Sequence, residues 1–124
     1  MNPIILVMSG GAIGAALRYG LSRALPLGDG WPWATFTANV LGGLAMGVLA
    51  AWILRGDNSA EPLRLFVGVG VLGGFTTFSA FSLEMMRMIE RGQTALAAGY
   101  AVASVLLALG ALFAGMTAAK AIWA

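Results

Sequence analysis

Gly68-Val-Gly-Val-Leu-Gly-Gly-Phe-Thr-Thr-Phe-Ser-Ala-Phe-Ser-Leu-Glu84 begins inside an uncharged run, Leu65–Leu83, long enough to cross a bilayer. The stretch carries four glycines, four Ser/Thr hydroxyls, three phenylalanines at spacings of three and a terminal carboxylate. A span that only sits in lipid needs none of that mixture. Every unsatisfied backbone group in hydrocarbon is costly, so a helix able to break there is buried in protein or lines a cavity. The expectation is a conduction path lined by this stretch and walled by the rest of the chain.

The remaining sequence has the composition of such walls. Of 124 residues, 60% are hydrophobic and only 10% charged, which leaves no material for a soluble domain. The other uncharged runs are Asn2–Leu17, Gly30–Leu54 and Gly92–Ala119. A span needs roughly 20 apolar residues. The chain therefore reads as one four-helix transmembrane domain over 1–124, with spans at about 4–25, 33–54, 63–90 and 94–122. The first run lacks a positive leader and continues through Arg18 towards Pro26, so it is read as a retained span rather than a signal. Cysteine and histidine are absent, which removes disulfides, thiolate chemistry and histidine metal sites. Scattered basic residues with a net charge of +2 give no nucleic-acid footprint.

Each span carries small or polar residues with a use. Gly10 and Gly14 in the first, Gly43 and Gly47 in the second, and Gly70 and Gly74 in the third form small-xxx-small faces for close backbone approach. Arg18 either snorkels to the interface beside Tyr19 or stands in a water-filled vestibule, where its field concentrates anions. Gly28, Asp29 and the neighbouring prolines make a loop, with Trp31 and Trp33 as an interfacial belt. Thr35 and Asn39, four apart, share a face of the second span. The Asn39 amide is interhelical glue or a donor to a solute. In the fourth span, Tyr100 and Ser104 are also four apart and face one interior, as lining or as packing residues.

Gly68-Val-Gly70-Val-Leu-Gly73 matches the dinucleotide fingerprint, but that motif requires a preceding strand, and here it lies within a span. The glycines serve a break better: Gly73-Gly74 before Thr76-Thr77 tolerates unusual backbone angles, and a break frees carbonyls and amides for ions. Phe78 and Phe81 are neighbours on one helix face. Aromatic stripes are commonly core. Beside Asn39, Thr77, Ser79, Ser82 and Glu84 they instead suggest a lining whose ring edges suit an anion and whose faces suit a cation.

Charge placement leaves orientation open. One membrane side receives Arg55, Arg64 and Lys120; the other receives Arg23, Arg87 and Arg91, with Arg18 if counted. Orientation normally follows a cytoplasmic excess of Lys/Arg, and a chain without one inserts both ways. Two inverted copies would recreate the symmetry of inverted-repeat transporters. The expected fold is an all-α integral membrane protein with four transmembrane helices, a broken third helix, and assembly as an antiparallel dual-topology homodimer.

Three segments now carry a resemblance. Gly10-Gly-Ala-Ile-Gly-Ala-Ala-Leu-Arg18-Tyr19, Thr35-Phe-Thr-Ala-Asn39-Val-Leu-Gly42 and Gly73-Gly-Phe-Thr-Thr-Phe-Ser-Ala-Phe-Ser-Leu-Glu84 look like the CrcB/Fluc family of fluoride channels. The likeness covers the whole chain, and the third segment is the most specific. It implies a non-enzymatic, multi-pass channel in a microbial cell inner membrane or plasma membrane, an antiparallel dimer with two pores that exports fluoride passively and confers fluoride resistance. By motif it implies that Asn39 is the pore amide and that Phe78 and Phe81 present ring edges to the anion. The carbonyls of Gly73 and Thr76 from both copies would hold a structural sodium ion at the dimer interface. Arg18 would stand at the vestibule, Glu84 near the pore entrance, and Ser79, Ser82, Thr37, Tyr100 and Ser104 along a polar track. Ala80 and Gly43 depart from the family pattern, where Thr and Ser are common, so any hydroxyl contribution there is missing.

An exporter of cationic drugs coupled to protons, also small and dual-topology, is the alternative. It needs a carboxylate in mid-span. Spans one, two and four have none, and Glu84 lies towards one end of span three. A membrane scaffold without transport is the remaining alternative.

Overall fold

Helix α1, Pro3–Ala24, begins where the Asn2 side chain accepts the Ile4 amide at 2.9 Å, with Pro3 preset for the first turn. The computed structural model describes residues 2–26, 30–56 and 60–123. Gly28 and Asp29 of the expected first loop lie outside the described residues, as do 57–59 of the second. Helix α2 is Trp33–Ile53, and a short α3, Glu61–Leu63, leads into a π-helix, Arg64–Leu72. There the turns widen, and the Gly73 amide reaches back five residues to the Gly68 carbonyl. Then come α4, Gly73–Phe75, α5, Ser79–Glu90, and α6, Thr94–Trp123.

Between α4 and α5 the backbone leaves the helix. Thr76 is extended, with φ −88° and ψ 156°, and helical geometry resumes at Phe78 ahead of α5. The turn from α5 to α6 is set by Gly92 at φ +78°. Its amide bonds the Ile89 carbonyl at 3.0 Å and the Gln93 amide bonds the Met88 carbonyl at 2.8 Å. This is a Schellman stop, which needs a left-handed residue and favours glycine.

Among the described residues, four stretches are long and apolar enough to cross a membrane: Pro3–Ala24, Trp33–Ile53, Glu61–Glu90 and Thr94–Trp123. The described chain is all-helical, and with these spans it is a multi-pass membrane protein.

Packing pairs the first span with the third and the second with the fourth. A Cβ on Gly10 or Gly14 would strike the Phe66 or Val71 carbonyl of the π-helix. One on Gly70 would lie 2.8 Å from the Gly10 Cα, and one on Gly74 would lie 2.5 Å from the Gly11 oxygen. The glycine faces of α1 and span three therefore interlock. On the other side a Gly43 Cβ would stand 2.7 Å from the Ala108 oxygen, and Gly47 and Gly115 press on the Leu112 and Leu44 carbonyls. Contacts climb both helices together in each pair, so the closest partners run parallel. Small residues let backbones approach in this way.

Phe81, Met88, Ala97 and Tyr100 form a buried cluster between α5 and α6. Trp31 joins it, with ring centroids 5.3 Å from Phe36 and 5.2 Å from Tyr100, both edge-on. The sequence expectation put Trp31 beside Trp33 in an interfacial belt. Trp33 is exposed, but Trp31 is a packing residue because Phe36 and Tyr100 offer it two aromatic faces.

Candidate functional site

The break at Thr76–Phe78 is held by side chains from two other spans. Asn39 of α2 grips one peptide unit twice: its Oδ1 accepts the Thr77 amide at 2.8 Å, and its Nδ2 donates to the Thr77 carbonyl at 3.0 Å. Arg18 of α1 donates from Nε to the Gly74 carbonyl at 3.3 Å. Gly42 makes room, since a Cβ there would strike the Thr76 methyl.

These bonds redirect the helix ladder. A continuing helix would give the Thr77 amide to the Gly73 carbonyl, but Asn39 takes it. It would give the Ala80 amide to the Thr76 carbonyl, but that amide donates to the Thr77 hydroxyl at 3.1 Å. Gly73 and Thr76 thus lose the donors their carbonyls would have had. The Thr76 hydroxyl turns back to the Leu72 carbonyl at 2.9 Å.

Beside the break lies an open cavity of about 550 Å³. Asn39, Gly73, Thr76, Phe78, Phe81 and Ser104 all contribute to its wall. Phe78 and Phe81 have ring centroids 5.7 Å apart, but their surroundings differ. Phe78 is 77% exposed, whereas Phe81 is 6% exposed and packs 5.0 Å from the Tyr100 ring. Ser104 is buried, and its hydroxyl has no partner among the described residues.

Adjacent to it, a second cavity of about 380 Å³ has Arg18, Tyr19, Ser22, Thr35 and Glu84 in its wall. Thr35 donates to Glu84 Oε2 at 2.9 Å and Tyr100 donates to Oε1 at 3.1 Å. Each hydroxyl has one proton, so both are engaged by the carboxylate.

The structure thus gathers Asn39, Phe78, Phe81, Ser104, Gly73 and Thr76 at one cavity, and Arg18 and Glu84 at the other. Tyr100 bridges towards the second through its hydroxyl. Thr37, Ser79 and Ser82 line neither cavity. Thr37 sits two residues from both Thr35 and Asn39, on a different face of α2. The Ser79 hydroxyl lies 3.3 Å from that of Thr77, and the Ser82 hydroxyl donates to the Phe78 carbonyl at 2.9 Å. Thr35 is a site residue that the sequence reading left unassigned; its spacing of four from Asn39 was the available signal.

The family described as CrcB-like protein, Camphor Resistance (CrcB), matches residues 5–116. The chain belongs to the CrcB family. It is 51% identical over 127 residues to a protein of Caulobacter vibrioides named fluoride-specific ion channel FluC, with 100% of both chains covered. It is 52% identical over 129 residues, again with full coverage, to the protein of that name from Hyphomonas neptunium. With the one from Rhodospirillum centenum it shares 50% over 118 residues, covering 94% of each. In this CrcB chain the three motif segments, far apart in sequence, meet at the break: Arg18 on the Gly74 carbonyl and Asn39 on the Thr77 peptide.

Proposed function

We propose that this protein is a fluoride channel, working as an antiparallel pair of copies that exports fluoride passively and confers resistance to it. The observation that carries the reading is the open cavity where Asn39, Phe78, Phe81 and Ser104 converge beside a broken third helix. It stands in a chain about half identical, end to end, to proteins named fluoride-specific ion channels.

Fluoride is small and strongly hydrated, so a path must replace its water with several weak donors and still let it leave. Two such donors remain free at the cavity. One is the second Nδ2 proton of Asn39, because the first is held by Thr77. The other is the Ser104 hydroxyl. The positive ring edges of Phe78 and Phe81 add to them. Neutral HF crosses lipid and ionises in a less acidic cytoplasm, trapping fluoride. An interior negative potential then drives exit with about 2.3 kcal/mol per charge per 100 mV. The Glu84 carboxylate, held by Thr35 and Tyr100, stands off the free donors, and Arg18 lends the neighbouring cavity positive charge.

The exposed Phe78 and the open cavity suit completion by a second, inverted copy. Carbonyls of Gly73 and Thr76, deprived of helical donors, form an oxygen set suited to a hard cation. From two copies they would hold a structural sodium ion at the interface, which satisfies freed backbone and offsets anion repulsion between two pores. The relatives are named as ion channels, and nothing favours the proton-coupled drug exporter over them.

Reconstituted protein in liposomes tests the reading with a fluoride-selective electrode. A pH-independent electrogenic efflux is expected, and proton-coupled drug uptake without fluoride current would overturn it. Phe78→Ile and Asn39→Asp should each lower fluoride flux strongly while the dimer still assembles. Normal flux in both would refute the site.

A further inference from the structure

At the end of the bundle opposite the Glu84 cavity, α2 and α6 finish side by side. Trp52 and Trp123 meet edge-on there, with ring centroids 5.2 Å apart. The Arg55 guanidinium lies over both rings, 5.4 Å from Trp52 and 5.6 Å from Trp123. Arg55 and Lys120 share the wall of a small cavity of about 150 Å³ with Leu54 and Trp123. None of these residues lines either cavity of the candidate conduction site.

Among the described residues the charge there is net positive. Two parallel helices end together, and each C-terminus carries about half a negative charge. That offsets roughly one of the two positive charges. The only ion pair among the described residues is Arg64 with Glu61, at 2.7 Å, so no described carboxylate neutralises Arg55 or Lys120. Both side chains are exposed. The indoles hold the guanidinium in place by cation–π contact, and an arginine stacked on rings keeps planar N–H edges for a planar partner. Trp at a span end anchors at headgroup depth, and exposed Leu54 and Ile122 flank the cluster with apolar surface.

We infer that Trp52, Arg55, Lys120 and Trp123 form a binding site for the headgroup phosphate of an anionic membrane lipid. Arg55 takes the phosphate oxygens through its N–H edge, Lys120 supplies a second charge, and the indoles and Leu54 meet the upper acyl chains. A zwitterionic lipid brings its own ammonium to the same place and is disfavoured. Each cation near a bilayer surface contributes roughly fivefold to anionic-lipid preference.

The full chain is reconstituted in liposomes carrying brominated phosphatidylglycerol or brominated phosphatidylcholine at equal mole fraction, and tryptophan emission is read. Brominated phosphatidylglycerol should quench the more strongly. Titrating its mole fraction should give a preference that falls about fivefold in Lys120→Gln and vanishes in Arg55→Gln/Lys120→Gln. The excess should also vanish in Trp52→Phe/Trp123→Phe, which places the signal at these two rings rather than at Trp31 or Trp33. Millimolar soluble glycerol phosphate should not displace it; displacement would make free phosphate the ligand and overturn the lipid assignment. Equal quenching by the two lipids, or an excess that survives in the double glutamine variant, would also overturn it. Monodisperse size-exclusion profiles and unchanged helical circular dichroism serve as the fold check, because removing two cations from one membrane side also alters the charge balance on which insertion in both directions rests. Because the readout is lipid contact, its failure leaves the channel reading standing.

Discussion

Hydroxyls that look alike in the sequence have different work in the structure. Ser82 and Ser104 both lie on a span, but the Ser82 proton is held by the Phe78 carbonyl and the Ser104 proton is free at the cavity. A hydrogen bond to a charged partner contributes about 1.5–3 kcal/mol. Ser104→Ala should therefore slow fluoride efflux at least about tenfold, and Ser82→Ala should change it less than about twofold, both read by the electrode. The two phenylalanines divide in the same way. Phe81→Ala empties a buried cluster and should cost about 3 kcal/mol of stability, seen as a lower midpoint of thermal unfolding in detergent. Phe78→Ile, at an exposed ring, should leave that midpoint of the single chain nearly unchanged while lowering flux. Asn39 and the two phenylalanines were legible as a group because polar and aromatic residues in a span are unusual. Which hydroxyls stay free was not legible. That depends on where Glu84 and the Phe78 carbonyl end up, and Glu84 lies far along the chain from Thr35.

At the scale of elements, the glycine faces act as pairs. Gly14 and Gly11 lie on the same helix, yet a methyl at Gly14 would strike the Val71 carbonyl and one at Gly11 would sit 4.0 Å from the Gly70 oxygen. Gly14→Ala should destabilise the subunit by more than about 2 kcal/mol, because backbone cannot move aside as a side chain can. Gly11→Ala should be close to neutral. Size-exclusion profiles and unfolding midpoints of the two variants in detergent make the comparison. The break itself joins elements as well. Asn39 accepts and donates across one peptide, so Asn39→Asp keeps the acceptor for the Thr77 amide and loses the donor to the Thr77 carbonyl. The small-xxx-small spacing was visible in the sequence, and so was the Gly-Gly-Phe-Thr-Thr site of the break. Which glycine face met which was not, since spacing along one helix carries no address for its partner.

For the whole molecule, the lack of a Lys/Arg bias between the two membrane sides supports insertion in both directions. Three lysines appended to one terminus should fix orientation and abolish flux, and co-expression with a copy fixed the other way should restore it. Full activity from one fixed orientation would refute the antiparallel pair. The lengths of the uncharged runs determined the four spans by themselves, because hydrocarbon thickness sets the length a helix needs. Absent histidine and cysteine removed most site chemistries, and the motifs carried the family. Only the tertiary structure decided that the first span lies against the third and the second against the fourth, in parallel. Only there do Arg18 and Asn39, on different helices, take hold of the Gly74 and Thr77 backbone and leave the Gly73 and Thr76 carbonyls without helical donors. The physical reason is that a hydrogen bond is satisfied in space. The stretch from Gly68 to Glu84 announces that it will break, but the groups that hold the break open lie tens of residues away.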